Sequence, residues 1–461
     1  MHRQELRAWK SEQISEHLQN PRMWKGLRSL ERHRVRTITT PPHPNDFADM
    51  LETLVAGNTL SLERPVTTLE APWQRSELSK AIQRMKTQKT ADECGLVAEL
   101  LKHVPEDVLT KLLALMNDLL FSGELPSTWQ RTVFQMLPKK AKAMFTSDYR
   151  PIASVRVLYK LFAYLVLGRI EHTLDSAQPE EQHGFRKNRR IEEHLITANY
   201  VFDKTLLTGA PIWLISLDLS KAFDRVDWQA LWTALATHGV SQHLIWILHL
   251  LYDKQRGQDL TYTAESREFD IHRGVRQGCV LSLRLFCSVL EWVLSRWRMR
   301  VRTEGIDLED GGEPLLDLRF ADDILVFAAS SQQAACLLDE LVVALADVGL
   351  ISRKGETKLP TTQTQPPKTI TTPRGVSVDV VDRAGCHKWF GCILSGNNKG
   401  SHRADREYHS QAASGFFANR KNLQQGRVLQ ETLALFLTKL LLLLHVSPLA
   451  TKRFTKAIRT L

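Results

Sequence analysis

Two short apolar runs, residues 316–320 and 324–328, flank an Ala-Asp-Asp step. Each run carries β-branched and aromatic residues in partial alternation, the composition of a strand. The pattern predicts a hairpin that lifts Asp322 and Asp323 to the tip of a tight turn. Upstream, Trp213-Leu-Ile-Ser-Leu217 is an apolar run that ends at Asp218, which predicts a buried strand closed by an acid. Helical spacing follows in Trp228, Leu231 and Leu235, with Asp218 or Ser220 as a possible N-cap. The same reading predicts helices from Ser76, from Pro105 through Leu120, over 155–170 and over 332–348, and strands over 133–140, 376–381 and 386–394. Residues 46–130 read as mostly helical, and 361–372, rich in Thr, Gln and Pro, as a loop. Residues 1–35 read as a basic helical segment with Trp9 and Trp24, followed by a Pro-rich linker over 36–45. The run 433–446 is very apolar but contains Lys439. A membrane span needs about 20 apolar residues, so a buried helix is the expectation there.

Composition narrows the class. The chain has 461 residues, 43% of them hydrophobic and 24% charged, enough for several subdomains around more than one core. A net charge of +10 favours a polyanionic partner. Six cysteines occur without a Cys-x-x-Cys pair, which points to a reducing compartment rather than a disulfide framework. Cys386, His387, Cys392, His402 and His409 fit no standard zinc-finger spacing. The N-terminus has no apolar core of a signal peptide.

The acids carry the chemistry. Two like charges at a hairpin tip repel, and a dry site pushes one of their pKa values up. A divalent cation removes that cost, and Mg²⁺ prefers hard oxygen ligands. A solvated Asp-Asp turn is the plain alternative for Asp322 and Asp323, and a helix cap for Asp218. Taken together, Asp218, Asp322 and Asp323 look like a two-metal site for nucleotidyl transfer, in which cations roughly 3.5–4 Å apart stabilise the attacking and leaving oxygens.

Asp218-Leu-Ser-Lys-Ala-Phe-Asp and Phe320-Ala-Asp-Asp resemble motifs A and C of the reverse transcriptases of non-LTR (LINE-type) retrotransposons. Between them, Arg273-Gly-Val-Arg-Gln-Gly-Cys-Val-Leu-Ser282 resembles motif B. Asp148-Tyr-Arg-Pro-Ile-Ala153 resembles a fingers motif, Gln182-His-Gly-Phe-Arg186 the box ahead of motif A, and Lys388-Trp-Phe-Gly391 the primer grip. Lys86 to Gly95 matches the loop before the fingers only loosely. The resemblance covers roughly residues 75–420 in the family's order.

The resemblance implies an α+β right-hand polymerase: fingers, a palm with an antiparallel sheet, and a short helical thumb, behind a helical N-terminal extension. It divides the chain into an extension and linker (1–75), fingers and palm (119–396) and a partial thumb (397–461). It implies RNA-directed synthesis of DNA from dNTPs on a primer 3′-OH, with an RNA template, a DNA primer, no membrane, and work in the nucleus. Asp218, Asp322 and Asp323 would be catalytic and hold two Mg²⁺, with Mn²⁺ as a substitute. Arg150, Phe223, Gln277 and Gly278 would contact the nucleotide. Arg150 offers a guanidinium fork for phosphate. Phe223 would pack under the sugar and exclude a 2′-OH, or else be an ordinary core residue. Gly274 and Gly278 would let the backbone approach a ligand. Asp224 and Asp227 read as surface or capping acids. Arg186, Lys187, Arg189 and Arg190 suit a nucleic-acid backbone as well as a solvated face.

The chain also departs from the pattern. Val280 and Leu283 stand where proline is usual, and Cys287 where asparagine is common. Glu356 stands where the family's leaving-group lysine falls, with Lys354 and Lys358 as neighbours that could replace it. No endonuclease domain is evident ahead of the polymerase boxes. The motif B departures, Glu356 and the short thumb keep a second reading open: a retrotransposon-derived relic that binds nucleic acid without catalysis.

Overall fold

The computed structural model describes residues 42–58, 61–65, 69–139, 143–259, 265–308, 314–353, 355–389 and 392–395. The expectations for residues 1–35, for the thumb at 397–461 and for the apolar run at 433–446 fall outside these. Mixed helix and sheet divides into two compact units, each built from two chain segments: Met1–Thr173 with Phe223–Phe286, and Leu174–Ala222 with Cys287–Leu461. The strands are β1 (Arg131–Pro138), β2 (Tyr149–Ser154), β3 (Trp213–Leu217), β4 (Gln255–Asp259), β5 (Phe269–Ile271), β6 (Asp317–Phe320), β7 (Asp323–Ala328), β8 (Leu359–Pro360), β9 (Thr369–Thr371), β10 (Ser377–Val381), β11 (Cys386–Trp389) and β12 (Cys392–Ser395).

In the first unit a mixed sheet runs β2-β1-β4-β5. β1 is antiparallel to β2, with Leu137 opposite Arg150, and parallel to β4, with Thr132 opposite Gly257. The β4 sequence, Gln-Arg-Gly-Gln-Asp, has no apolar alternation, and it is nonetheless largely buried. Two of its polar groups bond locally: Gln258 Nε2 donates to Ser266 O at 2.9 Å, and the Asp259 amide donates to Ser266 Oγ at 2.9 Å. The helix Pro44–Val55 packs on β4 and β5 through a face that buries Phe47 and Leu51. A helix spans Glu106–Ser122, close to the expected 105–120, and ends on Gly123 at φ +69°, where a Cβ would collide with the Trp246 ring. The buried Arg276 guanidinium lies over the rings of Tyr159 and Tyr252 and donates to Gln255 Oε1, Trp129 O and Leu251 O. That one side chain ties the loop after β5 into the core.

The second unit holds the antiparallel sheet β3-β7-β6. Every residue of β3 is buried. Ala198, Val201 and Phe202 of the helix Ile191–Thr208 pack with Ile212, Leu214, Leu325, Phe327 and Trp389 in one apolar cluster. The helix Ser331–Ala346 packs on β3 and β7. Smaller sheets, β8-β10-β9 and the hairpin β11-β12, follow. The stretch 361–372, expected as a loop, is anchored instead: Thr361 and Thr362 are buried and bonded to Ile212, and β9 lies within it. Threonine hydroxyls satisfy a backbone edge there as well as apolar side chains would cover it. The strand expected over 386–394 is a hairpin rather than one strand.

Candidate active site

The hairpin forms as its pattern predicts. Phe320 pairs with Asp323, leaving Ala321 and Asp322 as a two-residue turn. Ala321 takes φ +61°, at the first turn position, where such hairpins usually place glycine. β3 lies antiparallel beside β7 with Leu217 opposite Ile324, so Asp218 leaves the sheet at the same end as the turn. Burial pushes the Asp218 carboxyl above the usual aspartate range, the Arg353 guanidinium opposes that rise, and the charges of Asp322 and Glu356 add to it. The charge of Asp322 is therefore felt at Asp218.

Arg353 supplies the local counter-charge. Its Nη1 lies 3.0 Å from Asp218 Oδ2, and its amide donates to Asp218 O at 2.8 Å. The amide of Ser220 donates to Ile351 O at 2.8 Å, so residues 351–353 are laced to the end of β3 around Leu219. Lys358, one of the expected lysines, pairs with Asp379 at 2.6 Å. Lys354 lies outside the described residues. The sequence marks Arg353 only as a basic residue after a short apolar step, whereas the family pattern points to a lysine in this register.

The donor set suits divalent cations. The acids are hard oxygen ligands, the charge of Asp322 helps to raise the pKa of Asp218, and a cationic side chain already rests on Asp218. Among the described residues no three His, Cys, Asp or Glu side chains converge as a ligand group. Asp323 opens β7, half-buried, opposite Phe320.

The nucleotide-contact candidates fall in the other unit. Arg150 is exposed on β2, at the edge of its sheet. The Ala153 amide donates to Gln277 O at 2.7 Å, and a Cβ on Gly278, at φ +114°, would sit 2.8 Å from Ala153 O. Gly274 is pressed on the backbone of Asp224 in the same way. Both glycines thus admit the chain's own backbone, a role the ligand expectation did not include. Gln277 Nε2 donates to both carboxylate oxygens of Asp224, at 3.0 and 2.9 Å. Asp224 is buried, not the surface acid expected, because that amide and the close glycine enclose it. Asp227 caps its helix by accepting from the Ala230 amide. Phe223 is half-buried and stacks on Phe286 at 4.6 Å. In the basic cluster, Arg186 donates to Pro179 O at 2.6 Å and Gln182 O at 3.1 Å, and Arg189 pairs with Glu180.

Residues 137–366 match the family described as reverse transcriptase (RNA-dependent DNA polymerase). The chain is 27% identical over 280 residues to the transposon TX1 uncharacterized 149 kDa protein of Xenopus laevis, covering 61% of this chain and 21% of that protein. It is 25% identical over 319 residues to the retrovirus-related Pol polyprotein from type-2 retrotransposable element R2DM of Drosophila melanogaster, covering 68% and 28%. The chain thus spans less than a third of the length of these relatives. Among solved structures, an apo telomerase from Candida tropicalis, truncated from its C-terminal domain, is similar at a TM-score of 0.38 and 13% identity, over 56% of this chain and 54% of that one.

Proposed function

The chain belongs to the reverse transcriptase (RNA-dependent DNA polymerase) family through residues 137–366, and from that premise we propose that it is the polymerase of a non-LTR retrotransposon. It would extend a DNA primer with dNTPs along an RNA template. The observation that carries the reading is the register that ends β3, with Asp218 after it, at the same end of the sheet as the hairpin turn that carries Asp322. In this reading the β3-β7-β6 sheet is the palm of a right-hand polymerase.

Asp218 and Asp322 would hold two divalent cations, Mg²⁺ or in its place Mn²⁺, with Asp323 shaping the field or contacting metal in part. The cations would supply positive charge to the attacking primer oxygen and the departing pyrophosphate. The protein's own part is positioning and electrostatics. Asp218 is half-buried, and its partly desolvated carboxylate would gain from a nearby cation. Arg353 pairs with Asp218, a role that a bound metal would take over. Arg150 would grip phosphate oxygens, Phe223 would discriminate against a 2′-OH, and Gln277 with Gly278 would border the nascent pair.

One observation favours the relic reading. Arg353 rests on Asp218, and the charge of Glu356 reaches the same carboxylate, at the register where a lysine would serve pyrophosphate. Primer extension on an RNA template with dNTPs and Mg²⁺ separates the two. Wild type is expected to extend the primer and Asp322→Asn to lose extension while still binding template. Equal extension by both proteins overturns the assignment. A folded wild type that binds RNA and incorporates nothing in Mg²⁺ or Mn²⁺ establishes the relic.

A further inference from the structure

The turn that carries Asp322 is strained, and something must hold it. An L-residue at positive φ is disfavoured by contact of its Cβ with backbone oxygen, and Ala321 pays that cost at φ +61°. Left alone, such a turn relaxes and swings the next residue, Asp322. The brace comes from residues 181–184. Gln182 is fully buried. Its Oε1 accepts from two backbone amides, Gly184 at 2.8 Å and Ala321 at 3.0 Å. The strained residue's own N–H is therefore fixed by this one side-chain oxygen.

The surroundings point the same way. The Arg319 amide donates to Glu181 O at 2.8 Å and the His183 amide to Arg319 O at 3.0 Å, so 181–183 lies as a short parallel strip along β6. A Cβ on Gly184 would collide with the Ala321 amide nitrogen, so only glycine lets the loop come this close. Gln182 Nε2, meanwhile, is buried with no hydrogen-bond partner among the described residues. A buried unpaired donor costs free energy that an apolar side chain of the same shape avoids. The amide oxygen must return more than the amide nitrogen loses, and its two contacts are the return.

We infer that Gln182 is a positioning residue: its Oε1 holds the Ala321–Asp322 turn in the geometry that presents Asp322 to a divalent cation. This rests on the polymerase reading above. It assigns work to the Gln-x-Gly-Phe box beyond filling space beneath the sheet.

The test uses the full chain. Gln182→Met removes the acceptor at nearly constant volume. It is expected to lower kcat about ten- to a hundredfold, raise the Mg²⁺ concentration for half-maximal extension several-fold, and leave dNTP KM and RNA Kd within about twofold. Direct Mn²⁺ titration followed by electron paramagnetic resonance is expected to show the same weakening. Adding Ala321→Gly removes the strain and is expected to recover most of the loss. A residue that only packs gives neither the shifted metal requirement nor the rescue, so an unchanged metal requirement, or a loss that glycine does not restore, overturns the inference. Should Gln182→Met not fold, hydrogen exchange on the wild type decides: a rapidly exchanging Ala321 amide overturns it, and strong protection upholds it. A wild type that binds Mn²⁺ but extends no primer sinks the polymerase reading alone, and the Mn²⁺ titration still reads the brace. A wild type that binds no Mn²⁺ overturns both.

Discussion

His194 shows how far one side chain can serve the hairpin from a distance. Its Nε2 bonds to Arg319 O at 2.9 Å, and its ring stacks on His183 at 3.7 Å. Burial, and then the charge of His183, push its pKa down from 6.5 to about 4. A depressed folded-state value means that the unfolded chain takes up the proton first as pH falls. The His194 contribution is complete above pH 6.5 and is lost on acidification towards about 4. Thermal melts at pH 7.5 and 5 should show a lower Tm at acid pH, and His194→Gln should remove part of that difference. An unchanged difference would show that other groups set it. None of this was legible in sequence, since a histidine on a helix carries no mark of the carbonyl it will meet. The places of Asp218, Asp322 and Asp323, after β3 and at the hairpin turn, were legible because each acid borders a strand-like apolar run. Arg353 was not, because its partnership with Asp218 arises only when residues 351–353 lace onto the end of β3.

At the scale of elements, what alternates or caps could be read, and what is buried by partners could not. The hairpin β6-β7 and the helix Glu106–Ser122 lie close to where periodicity put them. β4 gave no signal, because its core positions are polar and their burial depends on Ser266 and on Phe269, whose ring sits where a Cβ on Gly257 would be. The glycines of residues 273–282 were recognisable as special, but not what approaches them. Gly278 combines a left-handed φ of +114° with a 2.8 Å approach to Ala153 O. Gly278→Ala should therefore destabilise the protein by at least about 2 kcal/mol, seen as a lower urea midpoint at unchanged m-value. A wild-type midpoint would mean that the loop has an alternative path. Beneath the hairpin, fully buried Arg319 pairs with Glu291 at 2.6 Å and Asp317 at 2.8 Å. Such a set is costly to break one partner at a time, and it pins the register of β6.

Across the whole molecule, the charge of +10 was the first hint of a polyanionic partner, and it makes a quantitative claim. RNA affinity should fall at least about tenfold between roughly 50 and 200 mM salt, as phosphate contacts release counterions. Fluorescence anisotropy with a labelled RNA measures this, and a flat plot of log Kd against log salt would deny that the basic excess does the binding. How the chain divides was less legible than its motifs, because each compact unit takes one segment from either side of the other's sequence. That interleaving has a consequence for how the protein is made. β1 waits for its parallel partner, with Arg131 meeting Arg256, and β3 waits for β7, with Trp213 meeting Ala328. Contacts so distant along the chain pay loop-closure entropy before they return anything, which slows folding and leaves sheet edges open meanwhile. A nascent chain released before Phe286 would lack β5 or part of the chain beyond it, and one ending before Ala328 would lack a complete β7. Nested segments of this kind make the ribosome's pace and the supply of chaperones part of what decides the yield of native protein.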